Sequence, residues 1–105
     1  MDSKKVWGPV MWRILHNMAI QYPDSPTYAN ACNMYQRIWD FVDKIPCSDC
    51  RKNATKYIVD NPPNLYDSEK LQRWVWQFHN DVNKRVGNRQ VTYDEYKTLY
   101  NAYKK

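Results

Sequence analysis

Cys47 and Cys50 stand at C-x-x-C spacing directly after Pro46, and the chain carries one further cysteine, Cys32. Two thiols three residues apart on the opening turn of a helix are close enough to close a disulfide. A disulfide made and broken there carries electrons by thiol–disulfide exchange. Pro46 stops one helix and lets another begin, so Cys47 falls where unpaired backbone N–H groups and the helix dipole favour a thiolate. Arg51 and Lys52 push the same way within a turn, and Asp49 opposes them. Cys47, the more N-terminal sulfur, is expected to meet outside thiols, and Cys50, a turn deeper, to face the interior. The same pair also reads as a static disulfide, as two buried thiols, or as part of a zinc site completed by His16, His79 or Cys32. No second C-x-x-C and no H-x-x-x-H accompanies it.

Two other groups could act with the cysteines. Trp12-x-x-x-His16 stacks both rings on one helix face, a pattern shared by a packed tryptophan beside a satisfied histidine. The run His79-Asn80-Asp81-Val82-Asn83-Lys84 is denser in chemistry. His79 and Asn83 lie one turn apart, with Lys84 beside them. A buried His and Asn on an apolar helix require hydrogen-bond partners. A nucleotide supplies them through its ring nitrogens and hydroxyls, and its pyrophosphate suits Lys84. Neighbouring helices could supply them as well.

Helices must position all of these residues. Gly8-Pro9 reads as a start, with Val10, Met11, Ile14, Leu15 and Met18 recurring at helical spacing to about Gln21. Tyr22-Pro23 ends that segment. Ser25 as N-cap and Pro26 at the first position open a second helix, whose apolar stripe runs Tyr28, Ala31, Cys32, Tyr35, Ile38, Trp39, Val42. A third helix spans about Cys47 to Asp60, and Asn61-Pro62-Pro63-Asn64 breaks the chain. Asp67 or Ser68 caps a fourth helix with Leu71, Trp74, Val75, Phe78, Val82 and Val86 inward and Gly87 as its terminator. Thr92-x-x-Glu95 is a capping box for a fifth helix through Tyr96, Leu99, Tyr100 and Tyr103. The fold class is therefore all-α: a four-helix bundle with a short fifth helix. At 105 residues, with no repeat or internal boundary, residues 1–105 form one domain.

Composition narrows the function. Five Trp and nine Tyr exceed what a small core requires and suggest a flat ligand, a partner surface, or both. The net charge of +5 is dispersed over several short clusters and no nucleic-acid reader motif is present, so nucleic acid is not an expected partner. No apolar run reaches the length of a membrane span, and the polar start, Met1 to Lys5, does not read as a secretory signal. A C-x-x-C without an export signal points to redox or metal chemistry more than to a passive staple.

Trp7-Gly8-Pro9-x-x-Trp12-x-x-x-His16, then Pro46-Cys47-x-x-Cys50, then His79-Asn80-x-Val82-Asn83-x-x-Val86-Gly87 resemble, in order and spacing, the Erv/ALR family of FAD-linked sulfhydryl oxidases. Each motif alone is weak; the ordered set of three is specific. The resemblance covers about residues 4–100. It implies a helical bundle that holds FAD between its helices as a homodimer, with Cys47–Cys50 as the redox disulfide beside the isoalloxazine ring. It implies cofactor contacts from Trp7, Gly8, Trp12 and His16 on the first helix, and from His79, Asn80, Val82, Asn83 and Lys84 on the fourth. Tyr96 closes the site from the fifth, and no metal is implied.

The chain departs from larger members of the family. It has no distal shuttle pair, and the stretch before the His-Asn motif reads Trp76-Gln77-Phe78 where many members carry a cysteine. In this it is similar to the minimal forms of large DNA viruses. The expected reaction is oxidation of a small dithiol partner protein, thioredoxin-like or viral, with oxygen as final acceptor and hydrogen peroxide as product. The expected place is the cytoplasm, of a host cell or within a virion. The rival reading is a non-enzymatic helical interaction module whose C-x-x-C is a staple or zinc ligand.

Overall fold

The structure, a computed structural model, describes residues 4–100. Five helices follow one another: α1 (Lys4–Gln21), α2 (Tyr28–Asp43), α3 (Ser48–Asp60), α4 (Ser68–Val86) and α5 (Tyr93–Tyr100). α1 lies along α4, α2 packs on α3, and α5 docks on the first half of α4, at Gln72, Arg73 and Trp76. One core runs through the bundle, built on Leu15, Ile38, Val42, Ile58, Leu71, Val75 and Phe78. The all-α bundle with a short fifth helix is the expected architecture.

The local signals that hold are those satisfied by a few neighbouring atoms. Asp67 caps α4, accepting from Lys70 N at 2.8 Å. Gly87 ends it at φ 80°, the left-handed conformation that glycine adopts without strain. Thr92 and Glu95 cap α5 reciprocally, Glu95 N donating to Thr92 Oγ1 at 3.1 Å and Thr92 N to Glu95 Oε1 at 2.9 Å.

Several boundaries and faces are corrected. α1 starts at Lys4, before the Gly8-Pro9 signal, so Pro9 lies inside the helix. There it removes a single donor, and Gly8 before it brings no Cβ to crowd the turn. α2 starts after Thr27, not at Ser25-Pro26, because Thr27 and Asn30 form a reciprocal capping box that satisfies two backbone donors. Its core face is Met34, Ile38, Phe41 and Val42. Cys32 is exposed, and Tyr28 and Tyr35 are 87% and 46% exposed, so the expected stripe divides between core and surface. On α4 and α5, Val86 and Leu99 also point outward. Tyr103 lies outside the described residues.

Candidate cofactor and redox site

Cys47 is the N-cap of α3, and its Sγ accepts a hydrogen bond from Cys50 N at 3.2 Å. The sulfur thus sits against the unpaired amides of the helix start, the position that favours a thiolate. Both cysteines are half-buried, and Cys50 packs against the core. Arg51 folds back to donate to the Ile45 carbonyl, which fixes the loop leading into Cys47. Lys52 is exposed.

From Cys50, the inner face of α3 continues through Ala54 to Tyr57. The Tyr57 ring stacks on Phe78 with centroids 4.9 Å apart. Phe78 meets the Trp12 ring edge-on at 5.1 Å. Trp12 stacks on His79 at 4.0 Å and 10°. An aromatic wall therefore joins the cysteine helix to the histidine end of the site.

His16 lies at the centre of that end, 1% exposed. Its Nε2 and His79 Nδ1 are 3.0 Å apart, so one proton is shared between two ring nitrogens. Tyr100 stacks on His16 at 4.4 Å, and Tyr96 approaches at 5.1 Å. Burial, with His79 nearby, lowers the His16 pKa to about 3, and burial lowers that of His79 to about 4. Both rings are neutral at neutral pH. Burial raises the Tyr96 pKa, so that side chain stays a neutral donor. His16 Nδ1 is buried with no hydrogen-bond partner among the described residues. A buried ring nitrogen left over from the protein's own bonding calls for a further partner, which a ligand group or an ordered water can supply.

Trp12, His16, His79 and Tyr96 thus come together in one cluster. Trp7 is half-buried against the core, and a Cβ at Gly8 would meet nothing within 4 Å, so internal packing does not explain that glycine. Asn83 is buried and reaches Asn80 Oδ1 at 3.3 Å; Val82 packs on the core; Lys84 is exposed. Asn80 makes a paired contact with the backbone before α5, accepting from Val91 N at 2.8 Å and donating to Val91 O at 2.6 Å. Its amide holds the α4–α5 connection. Tyr57, Ser68, Gln72 and Tyr100 were not singled out as site residues from sequence. Only Tyr57 carried a usable signal, its two-turn spacing from Cys50 on one face. Among the described residues no three His, Cys, Asp or Glu side chains converge, so the zinc alternative finds no ligand set.

The buried histidines make stability depend on pH. Their folded pKa values lie below the usual 6.5, so the unfolded chain binds more protons as pH falls below that value. Stability is fully present above pH 6.5 and is lost as pH falls towards 4 and 3. Each ring should cost about 2 kcal/mol between pH 7 and 5. Urea midpoints of the protein free of cofactor should fall accordingly, and His79→Gln should lessen the drop. Equal midpoints at the two pH values would contradict the burial of a neutral pair.

A small all-helical bundle with a C-x-x-C at a helix N-cap and a Trp–His–His ring cluster defines a narrow class of redox fold. The Erv1 / Alr family model matches residues 9–101, and the chain belongs to that family. It is similar to an FAD-linked sulfhydryl oxidase of African swine fever virus, 40% identical over 94 residues that cover 90% of this chain and 79% of that protein. It is similar to the mitochondrial FAD-linked sulfhydryl oxidase ERV1 of Saccharomyces cerevisiae, 38% identical over 75% of this chain and 42% of that protein. Its fold matches the crystal structure of the FAD binding domain of Erv1 from Saccharomyces cerevisiae with a TM-score of 0.89 and 30% identity, covering 100% of this chain and 99% of that one.

Proposed function

We propose that this protein is an FAD-dependent thiol oxidase that forms disulfides in a small dithiol partner protein. The observation that carries the reading is the enclosed His16–His79 pair with its unpartnered Nδ1, joined by an aromatic wall to the helix that begins at Cys47. Membership of the family, and relatives that are FAD-linked sulfhydryl oxidases, support the same activity here.

Trp12, His16, His79, Asn83 and Tyr96 would hold the cofactor, with Trp7 and Gly8 near its ring system and Lys84 placed for a phosphate. Asn80 and Val82 act behind them, the one fastening the α5 connection and the other filling the core. A partner thiolate attacks Cys47 Sγ of the disulfide form, the Cys47–Cys50 bond breaks, and Cys50 leaves as a thiolate. The partner's second thiolate then attacks its own mixed-disulfide sulfur, Cys47 departs reduced, and the partner leaves oxidised. Bound FAD supplies the two-electron acceptor that restores the Cys47–Cys50 disulfide, and oxygen takes those electrons on as hydrogen peroxide. The amides at the start of α3 stabilise the departing thiolate. The purified protein should show a flavin's visible absorption, bleached by a dithiol without air and restored by oxygen. A colourless protein that binds no FAD would leave only the interaction-module reading.

A second copy of the chain completes the apolar surface. Val10 and Ile14 on α1 are 57% and 46% exposed, and Tyr28 and Tyr35 on α2 flank the exposed Cys32. We read these faces as a two-fold interface. Cys32 then packs there as a small apolar residue, and Cys32→Ala should keep FAD and turnover. The reduced protein should sediment as a dimer at micromolar concentration. A monomer sinks the interface, and an inactive Cys32→Ala makes Cys32 a shuttle thiol. No helix among the described residues is long and apolar enough to cross a membrane. We place the activity in cytoplasm, of a host cell or within a virion, where disulfides require a dedicated oxidant.

A further inference from the structure

A chain of buried polar side chains runs behind the ring cluster, away from the cysteines. Tyr96 Oη donates to Gln72 Oε1 at 3.2 Å, and Gln72 Nε2 donates to Ser68 Oγ at 3.0 Å. The Ser68 hydroxyl donates onward to the Ala19 carbonyl at 2.9 Å, with a longer contact to that of Ile20 at 3.3 Å. All three side chains are buried. Their direction is fixed. A backbone carbonyl only accepts, so the serine proton points to α1 and its lone pair receives the glutamine amide. The glutamine oxygen only accepts, so the tyrosine must donate.

This chain is one of the contacts that secure α5. A helix of 8 residues does not hold itself together in water. α5 depends on docking, through Tyr93 beside Trp76 and through Tyr96 and Tyr100 against His16. Tyr96 also reaches into the Gln72–Ser68 network that ends on α1.

We propose that Gln72 is a positioning residue for cofactor retention: through Tyr96 it fastens α5 over His16, and the opening of this clamp sets how fast FAD leaves. The proposal rests on the reading that FAD occupies the His16 cluster. Glutamine suits the position because one side chain offers an acceptor to a phenol and a donor to a hydroxyl. Leucine would fill much of the space, take away the acceptor of the buried Tyr96 hydroxyl and remove the amide that Ser68 Oγ accepts, while Ser68 keeps its bond to Ala19, and the cost is borne by the closed clamp.

The test uses the FAD-loaded full chain and three variants: Gln72→Leu, Tyr96→Phe and the double. FAD release is followed by transfer to an excess of a flavin-accepting apoprotein, and amide hydrogen exchange is read along α5. Gln72→Leu should speed both by about 10- to 100-fold, and Tyr96→Phe, which keeps the ring, by about 3- to 10-fold. The double variant should be no worse than Gln72→Leu alone, because both changes break one link. Wild-type release and wild-type α5 exchange in Gln72→Leu overturn the proposal, and so do effects that add in the double variant. His79→Ala separates the underlying reading from this one. If it releases FAD faster while Gln72→Leu does not, the clamp alone is wrong; if it too leaves release unchanged, FAD does not sit at this cluster. Should Gln72→Leu not fold, Tyr96→Phe carries the test by itself.

Discussion

Cys47→Ser and Cys50→Ser are each expected to lose dithiol-dependent oxygen consumption down to background while still carrying FAD. A hydroxyl cannot enter thiol–disulfide exchange, so either change removes the bond that the reaction makes and breaks. The structure makes this a clean experiment at Cys47. That residue caps α3 by accepting from Cys50 N, and serine is among the best residues for that role. The helix should therefore keep its start, and lost activity will not reflect lost fold. The Trp12–His79 stack and the His16–His79 contact involve neither sulfur, so the cofactor should remain. In Cys47→Ser the remaining Cys50 thiolate should give a long-wavelength charge-transfer band at alkaline pH. Oxygen electrode traces and the visible spectrum check both parts. Full turnover in either variant removes the pair from the reaction, and a missing band argues against Cys50 as the sulfur beside the flavin.

His79→Ala should weaken FAD binding by about 5- to 150-fold. The alanine loses the stacked contact with Trp12 and leaves His16 Nε2 without its partner, next to an Nδ1 that already has none among the described residues. A buried imidazole with both nitrogens unsatisfied is costly, so the variant should also unfold at lower temperature. The loss should be larger in the presence of FAD, because a cofactor that binds only the folded state adds stability that grows with the logarithm of its affinity. Equilibrium dialysis and thermal scans with and without FAD measure the two effects. Unchanged FAD content after dialysis would mean that FAD does not sit at this cluster and would leave His79 a structural residue.

Much of the fold could be read from sequence because its signals are short-range. The starts of α3, α4 and α5 rest on contacts within three residues, and Gly87 needs only its own backbone. The face of α2 was not legible in the same way. That helix offers two apolar faces, Tyr28–Cys32–Tyr35 and Met34–Ile38–Phe41–Val42, and periodicity alone does not say which meets the core. The candidate site divides along the same line. The motifs marked Trp12, His16 and His79, but not that His16 and His79, 63 positions apart, meet ring to ring. Gln72 and Ser68 look like ordinary polar residues on a helix, and their roles depend on Tyr96 and on the carbonyl of Ala19, 24 and 49 positions away.

The way α5 is held has a consequence for how such a protein endures its own working conditions. All three cysteines lie before residue 51, so no disulfide within the chain fastens α5 to α4. The join is made by the Trp76–Tyr93 ring pair, by Asn80 and Trp76 on the Val91 backbone, and by the Tyr96–Gln72 bond. None of these responds to reductant. Reduction of a Cys47–Cys50 disulfide would therefore leave the contacts that hold α5 as they are. The redox state of the cysteines and the docking of α5 would then be set independently of one another.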